Sequence, residues 1–291
     1  MRALVTGGAG FIGTNLINRL LRDGQDVVSV DNYSTRVKEN QQDGCHYYDF
    51  DLSKTNNLQK ELSVETLENG KFDTIFHLAA LARIQPSLKN PYKSIFNNFV
   101  SSLNVFEYAR QNNTKVVYAG SSTFHHGLYS SPYAWSKYSG EELCKLYSSV
   151  YDLSTAICRF YNVYGPYQLE DGEYSTVLGI FEKQYREGKP FTITADGEQR
   201  RDFTYIDDIV DGLVKCSEHN FKAEFFELGK GVNYSINEIV DMFGKDCPRE
   251  YIPARKGEYD VTLADYSKAK LKLGWEPEGD IIQYIKSIIE V

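Results

Sequence analysis

The chain alternates short apolar runs with longer segments in which apolar residues return every three or four positions. "RALVTG" at 2–7 is such a run and predicts a strand. Residues 11–23 follow with Phe11, Ile12, Leu16, Ile17, Leu20 and Leu21 on one side of a helix. "DVVSVD" at 26–31 predicts a second strand, "FDTIFHLAA" at 72–80 a third, "TKVVYAGSS" at 114–122 a fourth and "LSTAICRFYNVYG" at 153–165 a fifth. Helical periodicity fills about 92–111 and 133–151 between them. Strand–helix alternation of this kind implies an α/β fold, a doubly wound parallel sheet with helices on both faces.

After Gly165 and Pro166 the pattern loosens. Residues 175–187, 205–218, 235–243 and 280–289 read as helices and "AEFFELG" at 223–229 as a strand. The expected organisation is a first domain over 1–165, rejoined by 203–230, and a smaller α/β lobe over 166–291. A chain of 291 residues suits this arrangement and affords a sizeable core.

Charge and cysteine content narrow the function classes. A net charge of −8 argues against a broad nucleic-acid footprint and leaves room for a small anionic ligand held by local arginines. Five scattered cysteines without a Cys-x-x-Cys pair read as free thiols in a reducing compartment. "MRALVTGG" reaches glycine before any long apolar run, and no window is apolar enough for a membrane span, so a cytoplasmic protein is expected.

The first candidate site is "VTGGAGFIG", which places Gly7, Gly10 and Gly13 at three-residue spacing between a strand and a helix. Glycine there permits a tight turn and close backbone approach to a diphosphate, and the helix N-terminus offers free N–H groups. Phe11 and Ile12 form the first helical turn. Asp31 ends the second strand eighteen residues past Gly13, with Asn32 beside it. A carboxylate there accepts from ribose hydroxyls and repels a 2′-phosphate, so NAD is favoured over NADP. Arg36 is the one nearby residue that favours a phosphate. Asp51 and Leu52 suit an adenine edge, although Asp51 reads equally as a solvated loop acid.

The second candidate is a Tyr-x-x-x-Lys pair, which occurs three times: Tyr133/Lys137, Tyr185/Lys189 and Tyr266/Lys270. On a helix this spacing stacks both side chains on one face. An ammonium beside a phenol favours phenolate and makes a general base usable near neutral pH. Only Tyr133 opens a helix that follows a strand ending in hydroxyls. Adjacent His125 and His126 precede it. Without a third ligand nearby they are poor chelators, and no metal is expected; they line a pocket or serve the loop.

Six motifs now stand in order: "TGGAGFIG", "HLAA" at 77–80, "GSS" at 120–122, "PYAWSK" at 132–137, "RFYNVYGP" at 159–166 and "RRDFTYIDDIVDG" at 200–212. The set resembles the extended short-chain dehydrogenases/reductases, specifically the NAD-dependent nucleotide-sugar epimerases and dehydratases, over nearly the whole chain. The resemblance implies a Rossmann-type domain holding NAD and a C-terminal lobe holding a nucleoside-diphosphate sugar. It implies that Tyr133 is the base for a sugar hydroxyl, that Lys137 lowers its pKa and holds the nicotinamide ribose, and that Ser122 shares the proton-transfer hydrogen bond. Ala79, Ala80, Asn98 and Phe160 join the cofactor set, and Ser87 is a further candidate. Thr123, Asn162, Arg201, Arg255, Glu258 and Thr262 join the substrate set. Arg201 and Arg255 are diphosphate clamps, and Glu258 stands where the family has a ribose-binding aspartate. His77 is expected to pack at its strand end without a useful ionisation.

Dehydratases of this family carry an acidic pair just after the catalytic hydroxyl, and the UDP-glucuronate decarboxylases a glutamate there. Thr123 and Phe124 fill those positions here, which leaves C4 epimerisation of a UDP-hexose through a transient 4-keto sugar. In the 4-epimerases a small residue at position 262 admits an N-acetyl group, so Thr262 implies UDP-GlcNAc/UDP-GalNAc with UDP-Glc/UDP-Gal. Alternatives are a 4-ketoreductase, an epimerase of GDP-, CDP- or dTDP-sugars, and a catalytically silent NAD-binding sensor. Only eleven residues lead from Ser122 to Tyr133, where relatives have about a dozen more, so a substrate-covering segment is missing. The resemblance also implies a homodimer through helices 92–111 and 133–151.

Overall fold

A computed structural model describes residues 1–35, 38–55 and 57–290. Its centre is a parallel sheet built from β1 (Arg2–Thr6), β2 (Asp26–Asp31), β3 (His46–Asp49), β4 (Thr74–His77), β5 (Lys115–Ser121), β6 (Thr155–Phe160) and a returning strand, Lys222–Leu228. The spatial order is β3-β2-β1-β4-β5-β6 followed by Lys222–Leu228, so the chain reverses direction across the sheet between β3 and β4. This is the doubly wound, Rossmann-type arrangement, whose ligands sit in the crevice outside the strands' carboxyl ends.

The sheet is parallel because its strands are apolar on both faces. β1 is buried along its whole length. One face packs on the helices Phe11–Arg22 and Ile206–Ser217 and on Trp275, the other on the helices Pro91–Asn112 and Pro132–Tyr151. A third apolar cluster, with Phe181, Phe191, Ile193, Ile239 and Phe243, forms the core of a smaller lobe. Its strands come in short pairs: Phe191–Thr194 with Arg249–Ile252, and Arg200–Asp202 with Asn233–Ser235.

Two long helices start where local chemistry dictates. Asn90 caps Pro91–Asn112 by accepting from the Lys93 amide at 3.0 Å, and Ser131 caps Pro132–Tyr151 by accepting from the Ala134 amide at 3.1 Å. Each opens with proline, whose missing N–H costs nothing in the first turn. Tyr133 thus sits at a fixed place, one residue inside a capped helix.

The strand β3 does not show in the periodicity. It has four residues at the sheet edge, with His46 and Asp49 exposed, and lacks the apolar run of its neighbours. The short helices Ile84–Lys89 and Ser267–Leu273 are likewise too brief to carry a helical period.

Candidate active site

The glycine loop is shaped by what surrounds it. Gly7 lies at φ +73°, and a β-carbon there would come within 2.9 Å of the Ala79 backbone. A β-carbon on Gly13 would collide with the Gly7 carbonyl, which already accepts from the Gly10 amide at 3.1 Å. Gly10 then caps the helix Phe11–Arg22 with no side-chain bond and no acid in its first turn, so that positive helix end stays open to an anion. This cradle fits the pyrophosphate of a dinucleotide. Phe11 and Ile12 pack back on the core.

Asp31 reaches back to this loop. Its Oδ2 accepts from the Ala9 amide at 2.9 Å and its Oδ1 from the Tyr33 amide at 2.8 Å. Burial raises its pKa, and those amides partly offset the shift. A carboxylate has about four lone-pair sites, so two amides leave capacity for ribose hydroxyls. Asn32 accepts from the Ser34 amide at 3.0 Å and shapes the next turn. Arg36 lies outside the described residues. Asp51 caps its own turn: its Oδ1 accepts from the Ser53 amide at 2.9 Å and hydroxyl at 2.7 Å. Burial raises its pKa, but these bonds and Lys54 outweigh it and hold the carboxyl below its usual range. Leu52 is buried, and its carbonyl accepts from Asn104 at 2.8 Å.

The segment after β4 is held by residues the motif reading did not weigh. Thr6 Oγ1 accepts from the amides of Leu78 and Ala79 at 3.2 Å each, which fixes the "HLAA" turn, Ala80 included, against β1. His77 pairs with Thr6 Oγ1 at 2.8 Å and Ser102 Oγ at 3.0 Å, and burial pushes its pKa down to about 3. It is a neutral packing residue. Asn98 spends its amide inside the protein, accepting from the Leu81 amide at 2.7 Å and donating to Leu81 O at 3.2 Å and Ser136 Oγ at 3.0 Å. It positions the loop around Leu81. Ser87 Oγ accepts from the Tyr133 amide at 3.2 Å. Phe160 ends β6 and packs against the same core as Phe11.

Several polar groups surround Tyr133. Ser121, the last residue of β5, is buried beside the phenol and favours its ionised form. Ser122 is half-exposed at the start of the short helix Ser122–His126. Burial raises the Tyr133 pKa; Ser121 and the charge of Arg83 pull it back. Lys137 is buried one turn further along, its Nζ 4.5 Å from the Tyr118 ring centroid. Burial lowers its pKa to about 8. Glu141 and Cys144 oppose that shift and favour its ammonium form. Because Ser121 favours the phenolate, Ser121→Ala is expected to lower kcat by about 10–100-fold. It should also move the acidic limb of the pH–rate profile to higher pH, as stopped assays across pH 5–9 will show.

The other two Tyr-x-x-x-Lys matches have ordinary roles. Tyr185 packs on Phe243 and Lys189 pairs with Glu187 at 2.8 Å; Tyr266 packs on Trp275 and Lys270 pairs with Glu276 at 2.9 Å.

The smaller lobe brings Asn162 and Thr262 together. Asn162 donates to Thr262 Oγ1 and to the Asp202 carbonyl, both at 3.3 Å, and Thr262 Oγ1 also accepts from the Asp202 amide at 3.1 Å. Asp202 is a hub that sequence reasoning missed: its carboxylate accepts from the amides of Lys230, Gly231 and Ala264 at 2.8–3.0 Å. Arg201 is half-buried, its pKa lowered by burial against the opposing charges of Glu258 and Asp260. Arg255 and Glu258 are exposed on the loop that follows Arg249–Ile252.

The two histidines part company. His125 bonds Glu227 of the returning strand, whose other oxygen accepts from Tyr161 at 2.8 Å and from the Asp265 amide at 2.9 Å. His126 stacks on Tyr259 with centroids 4.0 Å apart, and burial, His125 and Arg201 lower its pKa. Tyr259 in turn bonds Ser130 at 2.8 Å, and Gln85 donates to the Lys256 carbonyl at 2.8 Å. These contacts tie the loop around 256–260 to the 126–130 segment and to Gln85. Thr123 is buried and donates to Ser121 Oγ at 3.0 Å; Phe124 lies 3.5 Å over the Arg159 guanidinium, which Glu141 pairs at 2.7 Å.

A family model described as the NAD dependent epimerase/dehydratase family matches residues 3–229. A UDP-glucuronate 4-epimerase of Thermodesulfobacterium geofontis is 35% identical over 314 aligned positions, covering 98% of this chain and 94% of its own. The crystal structure of UDP-glucose 4-epimerase from Thermotoga maritima with UDP-glucose shares the fold at TM-score 0.91 and 30% identity, covering 100% of this chain and 98% of that one. That of UDP-glucuronic acid 4-epimerase from Bacillus cereus, in complex with UDP-glucuronic acid and NAD, gives 0.88 and 29%, with coverages of 100% and 98%. These likenesses run through the glycine cradle, the capped tyrosine helix and the smaller lobe alike, and the chain belongs to the NAD-dependent epimerase/dehydratase family, with NAD as its cofactor.

Proposed function

We propose that this protein inverts the C4 centre of the hexose in a UDP-sugar. The observation that carries the reading is the setting of Tyr133: a phenol fixed one residue inside a capped helix, one turn from buried Lys137, with Ser121 favouring its ionised form and no carboxylate at positions 123 or 124. Tyr133 takes the proton from O4 and later returns it. NAD, when bound in the glycine cradle, supplies the acceptor and donor of the C4 hydride. Asn162 and Arg201 hold the substrate from the smaller lobe, with Arg255 and Glu258 closing from the loop, so that the 4-keto sugar turns over in place. Thr123 and Phe124 are engaged with Ser121 and Arg159, and neither is an acid or base for elimination. The relatives named for UDP-glucose and UDP-glucuronate 4-epimerisation support the reaction class. The small Thr262, bonded to Asn162, supports room for an N-acetyl group at C2, as in UDP-GlcNAc.

The test mixes purified protein with UDP-GlcNAc, UDP-glucose or UDP-glucuronate, without added dinucleotide, and separates the products. Conversion to C4 epimers on co-purified NAD is expected. Dehydrated or decarboxylated product, or stoichiometric NADH release, overturns the proposal.

A homodimer belongs to the same reading. Trp135, Leu146 and Val150 form an exposed stripe at helical spacing on Pro132–Tyr151, and Tyr92 and Phe96 continue it on the neighbouring helix, stacked 5.7 Å apart. Leu146→Glu is expected to convert a dimer to a monomer in sedimentation analysis. A reducing, cytoplasmic setting fits the five free cysteines.

A further inference from the structure

Arg83 stands where the loop after β4 enters the helix Ile84–Lys89, at φ +142° and ψ +144°, a conformation that residues with a side chain rarely adopt. Its Nε donates to the Ser175 carbonyl at 3.2 Å. Burial lowers its pKa, and among the described residues no carboxylate pairs with it. Arg83 is half-buried, and a guanidinium partly withdrawn from water without an anion gains when a ligand brings one. Arg83 also lines a cavity of about 140 Å³ with Ser87, Lys93, Ser94 and Tyr174. The Ser94 hydroxyl is buried there without a partner among the described residues. Lys89 and Glu173, at the same cavity, neutralise each other at 2.6 Å. What remains is a set of donors, two of them cationic, tied to the tyrosine helix through Ser87, which accepts from the Tyr133 amide at 3.2 Å.

The place of this set narrows the anion. Arg201 approaches from the smaller lobe and suits the diphosphate. Tyr133 marks O4. The ring atoms flanking C4 carry the C3 hydroxyl and the C6 group on C5, and of these only C6 becomes anionic, as a carboxylate. A planar guanidinium holds a carboxylate through two parallel bonds.

We propose that Arg83 is a specificity-determining residue that binds the C6 carboxylate, so that UDP-hexuronates are the preferred substrates. This rests on the reading of the protein as a UDP-sugar 4-epimerase. The test measures kcat and KM for UDP-glucuronate and UDP-glucose on NAD-loaded wild type, Arg83→Gln and Arg83→Lys. Wild type is expected to prefer the uronate. Arg83→Gln is expected to lower the uronate-to-neutral ratio of kcat/KM by about 100-fold, chiefly through KM, and Arg83→Lys to restore part of it. Equal losses on both substrates would mean that Arg83 serves the phenol or the fold, and would overturn the proposal. Wild-type turnover of UDP-glucose without preference for the uronate also overturns it and leaves the epimerase reading standing. Failure to epimerise any UDP-sugar overturns both.

Discussion

A Tyr133→Phe variant is expected to fold, retain NAD and bind the nucleotide sugar, yet turn over about 10³-fold more slowly than wild type. Positioned proton transfer contributes about 10²–10⁴-fold to enzymatic rates, and Tyr133 is the group proposed to move the O4 proton. The substitution removes one oxygen. The helix keeps its Ser131 cap at 3.1 Å, and the Tyr133 amide keeps Ser87 at 3.2 Å, because neither uses the phenol. The loss should therefore fall on kcat, with melting temperature and cofactor content near wild type. A variant with full rate would remove the base from the mechanism.

The second large effect is expected at Gly13. A β-carbon there meets the Gly7 carbonyl and the Gly8 backbone, which are main-chain atoms without a rotamer to yield. Gly13→Ala should cost about 2–3 kcal/mol, the upper range for overpacking, and abolish NAD retention, because relief requires opening the turn that receives the pyrophosphate. At Gly10 the same added carbon meets the Gly7 carbonyl at 3.2 Å, so Gly10→Ala should be milder. Thermal unfolding and the dinucleotide released on acid treatment measure both. Equal behaviour of the two variants would contradict this ranking.

Sequence pattern reached the long elements and stopped at contacts. The helices at 91–112 and 132–151 lie within one residue of the spans their periodicity predicts, since each buries a regular face and opens on a cap and a proline. The four-residue β3 is invisible because an edge strand buries little. Among site residues, the glycine cradle and Asp31 were legible because main-chain geometry demands those residue types. The buried Ser121 was not: with two serines in succession, a local motif does not show which one the strand end buries. Arg83 lies in a stretch with no motif of its own, and the role proposed for it depends on Tyr133, fifty positions away. Asp202 sits inside "RRDFTYIDD", yet its role as an amide hub depends on segments near 230 and 264 that fold onto it.

The returning strand Lys222–Leu228 carries a consequence for modularity. The chain leaves the nucleotide half after β6, comes back through Ile206–Ser217 to lay that strand beside β6, leaves again, and finally seats Trp275 against the same helix, its indole donating to the Asp208 carbonyl at 2.8 Å. Neither lobe is a contiguous cassette. A truncation at residue 166 would strip the sheet of its edge, so recombining this nucleotide half with a foreign sugar-binding half requires grafting at several junctions at once.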